Sequence, residues 1–183
     1  MSARRIRTAA TVLAVAAALA LAGCTPSPSP SPSATGIGIP CDELVSPSVI
    51  TAVKKGLEPT NKIEVPGDSS AKTIRSLGGT VCDWVVSIGD GNSASVTVAV
   101  VKLSKAQQAK YEAKVKAGST STIDFGSKPA IRGYEANTGG TYSGDMEVFT
   151  EDGYWIAALS PLFLSPSYAE SVIASVLQAI PSG

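Results

Sequence analysis

From about residue 40 onward, apolar positions recur along the chain in two rhythms, one helical and one strand-like, and the alternation between them outlines a small domain. Val49, Ile50 and Val53 share one helical face. Ser46-Pro47 ahead of them supplies an N-cap and a first-turn proline, and Gly56 a stop, so a short helix is expected over residues 47–55. The segment 57–79 is loop-rich in pattern, with a short strand expected at 62–65. β-branched residues then dominate 80–88 and 94–103 on either side of Gly89-Asp90-Gly91-Asn92, which predicts an antiparallel hairpin.

Ser104 opens a second predicted helix running through Lys116. Tyr111 and Val115 form its inward i, i+4 pair, while Lys105, Lys110, Lys114 and Lys116 lie largely on its wet side. Strands follow at 122–125, 129–135, 141–150 and 154–160, the last two joined by Glu151-Asp152-Gly153. A final helix after Ser165-Pro166 carries Val172, Ile173, Val176, Leu177 and Ile180 at helical spacing and ends before Pro181. This order predicts an α+β fold, one antiparallel sheet with helices packed on one face.

The chain ahead of residue 40 follows different rules. Arg4, Arg5 and Arg7 precede an uncharged run of Ala, Val and Leu over residues 8–22, which is signal-like and short of the ~20 residues a helical span needs. Leu21-Ala22-Gly23-Cys24 resembles the bacterial lipobox. That resemblance implies a signal peptide at 1–23, cleavage before Cys24, and a diacylglycerol thioether on Cys24; two acyl chains hold a protein stably at a membrane surface. An ordinary secretory signal with an incidental cysteine is the alternative, and Arg4-Arg5 leaves both the general secretory and twin-arginine routes open. Residues 24–39, built on a Pro-Ser alternation, read as an extended tether of up to about 45 Å, setting a single domain at 40–183 away from the membrane.

Charge and cysteines then narrow the chemistry. The whole chain has 15 basic and 15 acidic residues, and loss of Arg4, Arg5 and Arg7 leaves 12 against 15, a net charge of −3. A mildly acidic domain lacks the basic face that nucleic acid requires. Of the three cysteines, assigning Cys24 to lipid leaves Cys41 and Cys82 as an even pair in an oxidising compartment, and a Cys41–Cys82 disulfide is expected. Free buried thiols and a metal pair are the alternatives; with no histidine, a zinc site lacks ligands.

Pro40-Cys41-Asp42, Leu44-Val45-Ser46-Pro47 and Val81-Cys82-Asp83-Trp84, behind a lipobox and a Ser/Pro linker, resemble a domain of unknown function common in actinobacterial lipoproteins. Its pattern is P-C-[DE]-L-L-[ST]-P early and C-x-W later; this chain carries one residue more between Cys41 and Ser46-Pro47. The resemblance implies a cell-envelope location, the Cys41–Cys82 bridge, structural roles for Ser46, Pro47 and Trp84, and no assigned activity.

Catalytic signals are weak. The absence of histidine removes Ser-His and Cys-His devices. Ser69-Ser70-Ala71-Lys72 matches S-x-x-K, but no companion element follows, and serine and lysine are abundant enough for an accidental match. Gly140-Thr141-Tyr142-Ser143-Gly144 displaces its serine by one from a nucleophile elbow, and Gly89-Asp90-Gly91-Asn92 lacks the oxygens of a calcium loop. Asp145 and Glu147, near Glu151 and Asp152, share a strand face, which fits either a paired-carboxylate hydrolase or the wet side of a strand whose Met146 and Val148 face inward. Trp84 is expected to pack over the disulfide, and Tyr154-Trp155 to send one ring to each sheet face. The function expected is therefore non-enzymatic, without a cofactor: a lipid-anchored envelope domain that binds a protein or a small apolar ligand in a groove between sheet and helices. A carboxylate hydrolase and a purely structural spacer are the rivals.

Overall fold

The computed structural model describes residues 36–60, 62, 69–125, 131–138 and 141–181. Cys24, the signal-like run and the Pro-Ser repeat lie outside the described residues, as does most of the strand expected at 62–65. The remaining chain forms α1 (Cys41–Leu44), α2 (Pro47–Val53), β1 (Glu58–Thr60), α3 (Ser70–Ser76), β2 (Thr80–Gly89) and β3 (Asn92–Lys102). It continues through α4 (Lys105–Gly118), β4 (Ser121–Asp124), β5 (Ile131–Thr138), β6 (Thr141–Thr150), β7 (Tyr154–Leu159) and α5 (Pro166–Ala179). The strands make one seven-stranded antiparallel sheet in the order β1-β2-β3-β7-β6-β5-β4. The α+β fold with an antiparallel sheet is the one the hydrophobic pattern predicts.

The helices, however, cover both faces of the sheet and not one. Along β3, Val96, Val98 and Val100 enter a core with Leu44 of α1, Ile50 of α2 and Val172, Ile173 and Val176 of α5. Ala99 and Val101, on the opposite face, pack with Ala71 and Ile74 of α3, and Tyr111 and Val115 of α4 close against that second core. Every residue from Val96 to Val101 is buried, as is every residue from Tyr154 to Ala158 of β7. Continuous burial of this kind is what a sheet covered on two sides demands.

Local chemistry sets the element ends. Ser104 and Gln107 make a capping box, with the Ser104 hydroxyl accepting from the Gln107 backbone N–H and the Gln107 side chain accepting from the Ser104 N–H. The β2–β3 hairpin turns on Asp90 and Gly91, both at positive φ (52° and 74°), between the paired Gly89 and Asn92. Two such residues are what a type I′ turn needs to match the twist of the strands it joins. α1 and α3 were not legible as helices: α1 is four residues long, and α3 presents only Ala71 and Ile74 as buried apolar positions.

Cys41 and Cys82 form a disulfide, with Cα atoms 5.6 Å apart, that fastens α1 to β2. Trp84, two residues along β2, points to the same side and belongs to the same core. Ile37 and Ile39, ahead of α1, also pack against this core.

Candidate functional site

The second face of the sheet, under α3 and α4, holds the polar chemistry. β6 places Asp145, Glu147 and Phe149 on this face by strand alternation, opposite Leu159, Ala157 and Trp155 of β7. Because Ala157 is small, the indole of Trp155 reaches diagonally across the strand pair, and its Nε1–H donates to Glu147 Oε2 at 2.7 Å. Ser70, in the first turn of α3, donates its hydroxyl to Glu147 Oε1 at 2.6 Å. One carboxyl thus joins α3, β6 and β7.

Aromatic rings frame this carboxyl. Trp155 stacks between Tyr111 of α4, at 5.2 Å between centroids, and Phe149 of β6, at 5.5 Å. Tyr134 of β5 meets Phe149 edge-on at 6.1 Å and donates its hydroxyl to Glu112 Oε1 at 2.8 Å. Arg132 donates to the same carboxylate through both Nε and Nη2, the latter at 2.9 Å. Gln108 Nε2 donates to the Thr150 carbonyl at 2.8 Å, and this buried bond locks the start of α4 onto the end of β6.

Between these elements lies a cavity of about 240 Å³. α3 and its cap contribute Ser69, Ser70 and Thr73; α4 contributes Tyr111, Lys114 and Val115; the sheet contributes Asp145, Glu147, Trp155 and Leu159, with Glu135 of β5 at one side. Burial raises the Glu147 pKa above the usual carboxylate range, and the neighbouring Asp145 charge adds to it; together they outweigh the lowering by the Ser70 and Trp155 hydrogen bonds and by Lys114. Burial likewise raises Asp145. The Asp145 side chain makes no hydrogen bond or ion pair among the described residues. Glu135 accepts from the Ser121 hydroxyl through Oε1, while its Oε2 is buried with no partner there.

The face bearing Asp145 and Glu147 is therefore not the wet side of a strand. Met146 and Val148 do face inward, into the first core, but the other side is roofed by α3 and α4, and the carboxylates sit beneath that roof. Glu151 and Asp152 lie apart from them in the β6–β7 turn. The rings of Tyr154 and Trp155 go to opposite faces as their adjacency requires, and Trp155 is both buried and a wall of the cavity. The cavity does lie between sheet and helices, but it carries carboxylates and hydroxyls and is not an apolar groove.

The remaining residues singled out by sequence fall elsewhere. Ser69 is the N-cap of α3: its hydroxyl accepts from the Lys72 backbone N–H, and the Lys72 side chain is exposed. Lys105, Lys110, Lys114 and Lys116 are exposed on α4, with Lys114 at the cavity. Gly144 holds a positive φ of 82° where the β5–β6 register shifts, and Gly140 lies outside the described residues. Sequence reasoning missed Ser70, Thr73, Tyr111 and Lys114 as parts of one site. The signal available was a cap residue, Ser69, followed by Ala71, Ile74 and Leu77 at helical spacing and stopped by Gly78-Gly79.

Among the described residues no group of three or more His, Cys, Asp or Glu side chains is placed to hold a metal ion. No protein-family model matches the chain, and neither a curated protein nor a solved structure shows significant similarity to it.

Proposed function

We propose that this chain is an extracytoplasmic lipoprotein, tethered by a lipidated Cys24 to the outer face of the membrane, whose domain binds a small ligand without turning it over. Arg4, Arg5 and Arg7, the uncharged run after them, Leu21-Ala22-Gly23-Cys24 and the Pro-Ser repeat support the tether. No described helix is long and apolar enough to cross a membrane. The observation that carries the binding reading is the cavity under α3 and α4, which the half-buried Asp145 side chain lines with no hydrogen-bond partner among the described residues. Convergent polar groups in a formed concavity are the usual mark of a small-molecule site. A protein partner at the envelope remains the competing occupant, and the resemblance to actinobacterial lipoproteins belongs to the same proposal.

The tether is tested by the intact mass of membrane-extracted protein: a lipid increment on a chain beginning at Cys24, lost in Cys24→Ser, is expected. A fragment starting elsewhere and lacking that increment refutes it. The ligand site is tested by thermal shift against small-molecule fractions of the envelope. A raised midpoint in the native chain, lost when Thr73→Phe fills the cavity, supports it; the same shift in both proteins rejects it.

A second reading, a carboxylate-dependent hydrolase of envelope material, draws on a specific observation: Asp145 and Glu147 line one cavity and burial raises both. Against it, both oxygens of Glu147 are already engaged, one by the Trp155 indole, which can only donate. Turnover of an envelope polymer abolished by both Asp145→Asn and Glu147→Gln would establish the hydrolase in place of the binder.

A further inference from the structure

Carboxyls outnumber cations at the cavity. Asp145, Glu147 and Glu135 all border it, and Lys114, at its rim, is the one cationic side chain among its described lining residues. Glu147 is satisfied by Ser70 and Trp155. Asp145 has no donor among the described residues, and Glu135 Oε2 is buried without one. The half-buried Asp145 carboxyl has given up part of its hydration with no protein donor among the described residues in exchange, so a species that brings donors and positive charge gains most there.

Three ligand classes compete for such a site. An anion would face the Asp145 and Glu147 carboxyls. A divalent cation favours several convergent carboxylates, and no group of three or more His, Cys, Asp or Glu side chains is placed to hold one among the described residues. An ammonium group needs less: one carboxylate and one or two neutral acceptors complete its three donors, and Asp145 with the hydroxyls of Ser69 and Thr73 supplies that set at one cavity. Tyr111, Val115, Trp155 and Leu159 give the wall an apolar and aromatic part that suits a short hydrocarbon or ring. At about 240 Å³ the space lies below the usual range of ~300–1,000 Å³ for drug-sized ligands, which limits the occupant to a small molecule.

We infer that the cavity between α3, α4 and strands β5–β7 selects a small organic ammonium ion, with Asp145 as the residue that pairs with its charge and the Tyr111–Trp155 wall holding its apolar body. This rests on the proposal that the cavity is a ligand site and adds the chemical class of the ligand.

Benzylamine, protonated at neutral pH, and benzyl alcohol, its neutral counterpart of nearly the same shape, test it. Each is titrated into the full-length chain while the indole N–H resonance of Trp155 is followed by NMR. The expected result is a saturable shift with benzylamine at an affinity at least about tenfold above that of benzyl alcohol. Asp145→Asn is expected to lower benzylamine affinity by about tenfold and leave benzyl alcohol within about twofold. Equal binding of the two probes, or an unchanged preference in Asp145→Asn, overturns the ammonium assignment while leaving a ligand cavity in place. No movement with either probe up to about 10 mM overturns both. Should Asp145→Asn not fold, the ratio measured on the native chain decides alone.

Discussion

Trp155 and Glu147 sit diagonally across the β6–β7 pair, and the 2.7 Å hydrogen bond from the indole Nε1–H to Glu147 Oε2 holds an ionisable group against the aromatic and apolar side chains of the same face. The other oxygen of Glu147 takes the Ser70 hydroxyl at 2.6 Å, so the short helix α3 is held to the sheet by this carboxyl as well as by Ala71 and Ile74. The cavity lies beside that junction with α3 and α4 both lining it, and Asp145 lines it two residues away on the same strand.

Replacing Glu147 separates its hydrogen bonds from its charge. Glu147→Ala strands the buried Trp155 N–H and frees Ser70, and a loss of about 1–3 kcal/mol in unfolding free energy is expected. Glu147→Gln keeps an acceptor for the indole and a donor for the Ser70 oxygen, and it carries no charge. Urea denaturation at neutral pH is expected to find Gln at least as stable as the native residue and Ala clearly less so.

The pH dependence carries two opposite signs. Glu147, raised first by burial, binds its proton more tightly folded than unfolded. Its contribution is therefore fully present below the unfolded carboxylate value and is lost as pH rises through its raised folded value. Glu112 runs the other way. Burial alone would raise it, but the hydrogen bonds from Arg132 and Tyr134 and the Arg132 and Lys116 charges outweigh that, so its contribution is present above the unfolded value and lost as pH falls through its lowered one. Denaturation midpoints taken from acid to neutral pH should decline less steeply toward neutrality in Glu147→Gln than in the native chain. An identical slope in the two proteins rejects the assignment for Glu147.

Much of the sheet was legible because its strands obey local rules. Asp90-Gly91 fixes the β2–β3 hairpin, Ser104 and Gln107 fix the start of α4, and the pattern around Val172, Ile173 and Val176 fixes α5. What misled was the assumption of one wet face. The unbroken run Val96-Thr97-Val98-Ala99-Val100-Val101 already signals burial on both sides, and Tyr154-Trp155-Ile156-Ala157-Ala158 repeats it. Read that way, Asp145 and Glu147 fall under a roof. The roof itself was harder to see: α3 spans only seven residues, and its hold on Glu147 through Ser70 bridges 77 positions of chain, which no local pattern carries.

Among the described glycines, Gly144 is the one least able to accept a side chain. It holds φ at 82°, and a Cβ there would stand 1.8 Å from the Ser160 carbonyl oxygen, while the Gly144 carbonyl accepts from the Ser160 N–H at 2.9 Å. Gly144→Ala must move the chain beyond β7 or break that bond, one residue before Asp145. A loss of about 3 kcal/mol or more is expected, beyond the usual cost of a surface substitution, together with altered resonances around the cavity. A thermal midpoint within a degree or so of the native value would contradict this geometry.

The Cys41–Cys82 bridge closes a loop of 41 residues that contains α2, β1 and α3. Such a loop corresponds to about 4 kcal/mol of unfolded-state entropy in the chain-entropy model, with measured losses of about 2–5 kcal/mol for native bridges in small secreted domains. The two ends differ in what else holds them. Cys82 lies mid-strand in β2, paired with Val98 and buried among Trp84 and the β3 valines, whereas Cys41 starts a helix of four residues whose buried anchor is Leu44. Loss of the bridge should therefore loosen the α1 end first. Paired Cys41→Ala and Cys82→Ala substitutions are expected to lower unfolding free energy by about 2–4 kcal/mol and to speed amide exchange in α1 and α2. The amides of β3 and β7, buried on both faces, should exchange only with global unfolding. Equal acceleration in β3 and α1 would mean that the bridge supports the sheet as a whole and not the helical entry to it.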